Sequence, residues 1–262
     1  MLLYIDIYSY LFKLTVDFFV EIALLVIRAL FFNLIIWIYT FFVAAIIVLL
    51  RPLGLDFVYS IAMFWSRSSL YMLELICGVK CEVVIKGDLP EGPAVYLSNH
   101  QSALETIAFP SFLPQFVWVL KRELFYIPIF GWCMKALGQI GIDRSAGGKA
   151  VKLMNKEGKM ALGQGRSVAI FPEGTRVPHG KMGAFSPGGA GLAINCGIPV
   201  VPVAHNAGKV WKRRSFRKAP GVVTFIIDEP IPTAGMPASE RKKLSARVRE
   251  IIAERLEELE SV

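Results

Sequence analysis

Residues 99 to 105 read NHQSALE, so His100 stands five positions ahead of Glu105. Imidazole is the side chain that titrates nearest neutral pH. A carboxylate bonded to one ring nitrogen fixes the tautomer and frees the other nitrogen to take a proton from a hydroxyl. The same two residues also suit an exposed histidine at a helix start with an acid in its first turn. Further along, FPEGTR (171–176) places Glu173 and Arg176 immediately after an apolar run, and Pro172 and Gly174 enforce a turn. Arginine offers two parallel donors and therefore suits a phosphate. GQIGIDR (138–144) delivers Arg144 at another strand end, where an arginine after an acid is commonly a surface ion pair of little energetic weight. The run IPVVPV (198–203) carries no reactive group and shapes only an apolar wall or a bend.

These residues need a scaffold that brings strand ends together. After Gly78, seven short apolar and β-branched runs alternate with helical segments: CEVVIKG, AVYLSNH, FVWVLKR, GQIGIDR, SVAIFPEGT, PVVPVAH and GVVTFIIDEP. The pattern predicts an α/β fold, a mixed, largely parallel seven-stranded sheet flanked by helices on both faces. Reactive groups in such sheets gather just past the carboxyl ends of the strands, where His100, Arg144 and the FPEGTR turn all fall. Residues 146 to 165 predict an amphipathic helix, with Lys149, Lys152, Lys156 and Lys159 on one face and Leu153, Met160 and Ala161 near another. A last helix, roughly 239–259, predicts a solvated cap over the sheet.

The chain has 262 residues, is 54% hydrophobic and carries a formal charge of +8. Residues 1–80 hold five charges of each sign, so the whole excess belongs to 81–262. A neutral apolar head on a basic body predicts a membrane-bound protein with anionic headgroups or metabolites nearby. The division reads as membrane-anchoring helices over 1–80 and an α/β domain over 81–262. Ala29 to Leu50 is a run of 22 residues without charge. As a helix it would reach about 33 Å, enough for a hydrocarbon core of roughly 30 Å. Ahead of it, Asp6, Lys13, Asp17 and Glu21 interrupt the apolar pattern and predict an interfacial helix or one arm of an embedded hairpin. Residues 56–75 predict an amphipathic helix at the bilayer surface or against the body.

Other chemistries fit less well. Cys77, Cys81, Cys133 and Cys196 are scattered and read as buried free thiols, because His179 and His205 lack ligand spacing to the Cys77–Cys81 pair. The run KVWKRRSFRK (209–218) holds six basic residues in ten but belongs to no nucleic-acid module, so it reads as a loop drawn to anionic lipid.

In this order, NHQSALE, GQIGIDR, FPEGTR and VVPVA resemble the four motifs of the glycerolipid acyltransferase family, over roughly residues 84–228. The resemblance implies a general base at His100 and an orienting acid at Glu105. It implies acceptor and phosphate binding by Glu173, Thr175, Arg176 and Arg144, with Gly174 permitting close backbone approach. Glu105 stands where relatives usually carry Asp, and Ser186 where many carry a lysine, for which Lys181 is the substitute. The implied reaction moves a fatty acyl group from acyl-CoA or acyl carrier protein to the sn-2 hydroxyl of 1-acyl-sn-glycerol-3-phosphate, forming phosphatidic acid. No metal, no permanently bound cofactor and no nucleic acid are expected. The expected partners are a lysophospholipid, the acyl thioester and membrane lipids, and the expected place is the cytoplasmic side of the inner membrane. Two alternatives stay open: another lysolipid acceptor, such as a lyso-ornithine lipid or lysophosphatidylcholine, and a non-catalytic membrane-binding protein.

Overall fold

From Leu2 to Leu50 no proline or glycine interrupts the chain, and the whole stretch forms one helix of 49 residues, α1. The computed structural model describes residues 2–261. At 1.5 Å per residue α1 is about 73 Å long. The expected division into an interfacial helix and a separate span is therefore corrected: no breaker residue separates the two, and the helix runs through. Lys13, Asp17 and Glu21 lie exposed along it, and the side chain of Asp6 lies outside the described residues. Lys13–Leu53 is the one stretch among the described residues long and apolar enough to cross a membrane.

The second half of α1 is two-sided. Ala29, Phe32, Ile36, Val43, Ala44 and Ile47 are buried against the rest of the protein, at helical spacing. Leu34, Trp37, Phe41, Phe42 and Leu49 on the other face are exposed, Trp37 to 75%. Pro52 in a short 3-10 turn and Gly54 at φ 115° end the helix and reverse the chain. Helix α2 (Leu55–Cys77) then returns along α1, buries Val58, Ala62, Ser66, Ser69, Leu73 and Cys77, and is capped by Gly78 at φ 68°. The hydroxyl of Ser66 donates to the Ile107 carbonyl, so its burial leaves no polar group unmet.

Seven strands follow: β1 (Val79–Ile85), β2 (Val95–Ser98), β3 (Phe116–Lys121), β4 (Ile140–Ile142), β5 (Ser167–Ile170), β6 (Val200–His205) and β7 (Gly221–Ile227). They form one sheet in the order β1-β7-β6-β2-β5-β3-β4. The five strands β6, β2, β5, β3 and β4 are parallel; β7 pairs antiparallel with β6, and β1 runs with β7. The expected sheet is the observed one. Pro202 sits inside β6, and pairing with β7 occupies the residues after it, Val203 to His205. The strand is continuous there, with no break at the proline.

Helices cover both faces. One core joins α2, α3 (Leu104–Phe112) and Phe32 of α1 to the sheet through Leu73, Phe109 and Phe225. The other joins α5 (Gly148–Gly163), α6 (Gly188–Cys196) and α8 (Arg241–Glu260) through Met154, Leu192 and Val248, while two short helices, α4 (Phe130–Ala136) and α7 (Ala207–Val210), follow β3 and β6. Helix α8 covers the sheet as expected, burying Leu244, Val248 and Ile252. Helix α5 corrects the sequence reading in part: it buries Ala150, Met154, Gly158, Leu162 and the expected Ala161, whereas Leu153 and Met160 are exposed. Glycine stands at 158 because Leu192 presses where a side chain there would stand.

Candidate active site

Strand β2 ends at Ser98, and the next residues turn across the top of the sheet before α3 begins at Leu104. Asn99 holds this turn to the neighbouring strand. Its amide donates to the His205 carbonyl at 2.9 Å and its side-chain oxygen accepts the His205 N–H at 3.1 Å. Glu105, in the first turn of α3, folds back. Its Oε1 accepts N–H groups from Gln101 and Ser102 at 2.8 and 2.7 Å, and lies 2.8 Å from Nδ1 of His100.

Glu105 is fully buried. Burial raises a carboxyl pKa, but the neighbouring imidazoles of His205 and His100 and the Ser102 amide pull it down, and the net direction is down. An ionised Glu105 requires a proton on Nδ1 of His100, which leaves the lone pair on Nε2. The ring is held from its face as well. It stacks on Phe171 at 3.9 Å between centroids and 9° between planes, and Phe171 stacks in turn on Trp118.

Glu173 locks the same turn from the FPEGTR side. Its Oε2 accepts the backbone N–H of His100 and its Oε1 that of Gly183, both at 2.8 Å. Both oxygens are thus committed to backbone. Burial pushes its carboxyl pKa up, partly offset by those two bonds. The backbone around the turn closes through the Val177 N–H on the His100 carbonyl, 2.7 Å. Gly174, at φ 68°, adopts a conformation that favours glycine, and its carbonyl accepts a bond from Arg144.

His100 lines a cavity of about 540 Å3. Arg144, Thr175 and Arg176 share its wall, so four of the expected site residues meet there, with Glu105 directly behind the histidine. Glu173 and Gly174 brace the wall from outside it, and Lys181 is exposed on the loop beyond Gly180 and does not reach the cavity. Ser186 is off the wall too; its hydroxyl accepts the Gly188 N–H at the start of α6. Further positive charge comes from Arg213, Arg214 and Lys121, which line the cavity together with Arg144 and Arg176. Sequence reading placed those two arginines in a lipid-attracted loop. The strand-end rule could have found them, since their run begins only four residues past the end of β6. The cavity wall also holds apolar side chains, among them Val43, Ala44 and Ile47 of α1 with Val119 and Leu137.

This arrangement offers a proton acceptor, a cluster of guanidinium groups and a lipid-like chamber within one hollow. A family model described as "Acyltransferase" matches residues 80–206. The chain is 39% identical to the 1-acyl-sn-glycerol-3-phosphate acyltransferase of Pseudomonas aeruginosa over 198 residues, 76% of this chain and 77% of that one. It is 31% identical to the human 1-acyl-sn-glycerol-3-phosphate acyltransferase alpha over 186 residues, 70% of this chain and 66% of that one. Its fold is similar to the crystal structure of the 1-acyl-sn-glycerophosphate acyltransferase from Thermotoga maritima, with a TM-score of 0.74, 23% identity, and coverage of 90% and 96% of the two chains.

Proposed function

The chain belongs to the acyltransferase family, and we propose that it moves a fatty acyl group from a thioester to the free hydroxyl of 1-acyl-sn-glycerol-3-phosphate, yielding phosphatidic acid. One observation carries the reading: His100, oriented by buried Glu105, lines a cavity whose wall holds both arginines and apolar side chains. A phosphate with a hydrocarbon chain matches both.

A thioester carbonyl is already activated, whereas a neutral alcohol is a poor nucleophile until its proton leaves. Nε2 of His100 takes that proton as the hydroxyl oxygen bonds to the thioester carbon. The C–S bond then breaks and the proton passes to the departing thiolate. Glu105 stabilises the imidazolium that forms in between, as an acid does behind the histidine of a catalytic triad. The stacked face of Phe171 adds a smaller stabilisation of the same cation. This chemistry calls for no metal and no bound cofactor; the donor is acyl-CoA or acyl carrier protein.

Arg144 and Arg176 hold the acceptor's phosphate, and Thr175 lines the wall beside them. Glu173 acts through backbone, by holding the amide of His100 in place. The abundance of arginine favours a phosphate-terminated acceptor over lysolipids with neutral headgroups, although the family lysine is replaced by Ser186. Helix α1, with its exposed apolar face, attaches the protein to a membrane, and the site works at the cytoplasmic face of the inner membrane.

Membranes containing the protein, given labelled acyl-CoA and a panel of lysolipids, test the assignment. Phosphatidic acid is the expected dominant product. Preferential acylation of lysophosphatidylcholine or a lyso-ornithine lipid would replace the acceptor assigned here.

A further inference from the structure

Lys218 is 2% exposed, and among the described residues no carboxylate pairs with it. A buried ammonium without a counter-charge is costly, so what surrounds it has a use. Its Nζ donates to the side-chain oxygen of Asn33 and, at 2.8 Å, to the carbonyl of Phe216. It stands 4.1 Å from the centre of the Trp211 ring and 5.1 Å from that of Phe32. Asn33 is the one strongly polar residue in the apolar run of α1, and its amide donates in turn to the Phe216 carbonyl at 3.3 Å. Two residues of α1 and two of the basic loop thus meet around the charge of Lys218.

The loop between them is tightly closed. The Ala219 N–H bonds the Val210 carbonyl at 2.9 Å, and the Trp211 indole bonds the Ser215 carbonyl at 2.9 Å. At its tip the Ser215 N–H reaches the Lys212 carbonyl at 3.1 Å, which puts Arg213 and Arg214 at the two central positions of a turn. Arg214 has φ 58°, a conformation unfavourable for a side-chain-bearing residue, held here by the surrounding contacts. Both arginines line the cavity that contains His100.

We infer that Lys218 and Asn33 form a polar latch between the apolar helix and the basic loop, and that this latch positions Arg213 and Arg214 against the phosphate of a substrate in the cavity. The inference rests on the function proposed above. The phosphate is either that of the acceptor headgroup or that of the acyl donor, and varying the two substrates separately tells them apart. Lys218 and Asn33 are positioning residues, distant from the reacting atoms in role.

The test uses the full chain in mixed micelles, as wild type, Lys218→Met, Asn33→Leu, Arg213→Ala/Arg214→Ala, and the last combined with Lys218→Met. Each latch variant is expected to raise KM for one of the two phosphate-bearing substrates about tenfold while kcat stays within about twofold. Adding Lys218→Met to the double arginine variant is expected to raise KM no further, because the latch acts through those side chains. Limited trypsin digestion supplies a readout independent of turnover: cleavage within 212–217 should accelerate about tenfold in both latch variants, as a loosened loop opens more often. Asn33→Leu keeps the helix apolar and carries the test if Lys218→Met does not fold. Unchanged KM for both substrates, or a KM increase that multiplies with that of the arginine variant, would overturn the proposal. Wild-type trypsin resistance in both latch variants would overturn it too. A wild-type protein with no acyl transfer would defeat the functional reading instead, while the digestion pattern would still judge the latch.

Discussion

The turn that carries His100 and the helix that lies under the cavity are built in opposite ways. Around His100 the constraints are mainly directional hydrogen bonds, joined by the Phe171 stack on the ring face: Glu105 accepts three bonds, Glu173 two, and Asn99 ties β2 to β6 through two more. Helix α1 holds its place mostly by apolar contact, with a few scattered polar bonds: Tyr39 to Ser68, Thr40 to Trp65 and Asn33 to the loop. Directional bonds fix an atom to a fraction of an ångström, which proton transfer requires. Apolar contact positions a surface without fixing any one atom, and that suffices for a chain of methylene groups or a bilayer.

The contrast predicts different failures. In the polar region, Glu105→Gln keeps the shape but removes the charge behind the imidazole, and kcat should fall about 10^2- to 10^4-fold. Glu105→Asp should recover part of that loss in a steady-state assay; a loss as deep as for Gln would show that reach outweighs charge. On the apolar side, replacing Trp37, Phe41 and Phe42 together by serine should weaken vesicle binding about 100-fold in a flotation assay. Transfer to a soluble short-chain acceptor should stay near wild type, because these side chains point away from the cavity.

Between the two regions, Arg176→Ala should raise the acceptor KM about tenfold at the phosphate wall, measured against a fixed donor concentration. The smallest change concerns the scaffold alone. A methyl group on Gly158 would meet Leu192 at 2.6 Å. Gly158→Ala should therefore cost about 1 kcal/mol or more in a denaturant melt, outweighing the usual gain in helix propensity, with kcat unchanged.

What the sequence disclosed follows the same division. Each of the seven strands stands where a β-branched run predicts it, and the back-folding of Glu105 onto His100 follows from its place in the first turn of a helix after a strand. Short-range spacing was sufficient there. The buried face of α1 was hidden because nearly every residue from Ala29 to Leu50 is apolar, so no polar stripe marks the outer side. In α5 the signal misled in part: Leu153 and Met160 are apolar but exposed, while Met154, Leu162 and the small residues Ala150, Gly158 and Ala161 face the core. Arg213 and Arg214 were legible as charge but not as a site, since their position depends on Lys218 meeting a helix 185 residues away in sequence.

The claim underneath all of this is that Nε2 of His100 removes the acceptor's hydroxyl proton. The direct measurement is acyl transfer by His100→Ala in membranes, alongside a check that the protein still floats with vesicles. Turnover at least about 10^3-fold below wild type, with attachment intact, is the predicted result. Transfer within about tenfold of wild type would contradict the claim and assign the proton to another group.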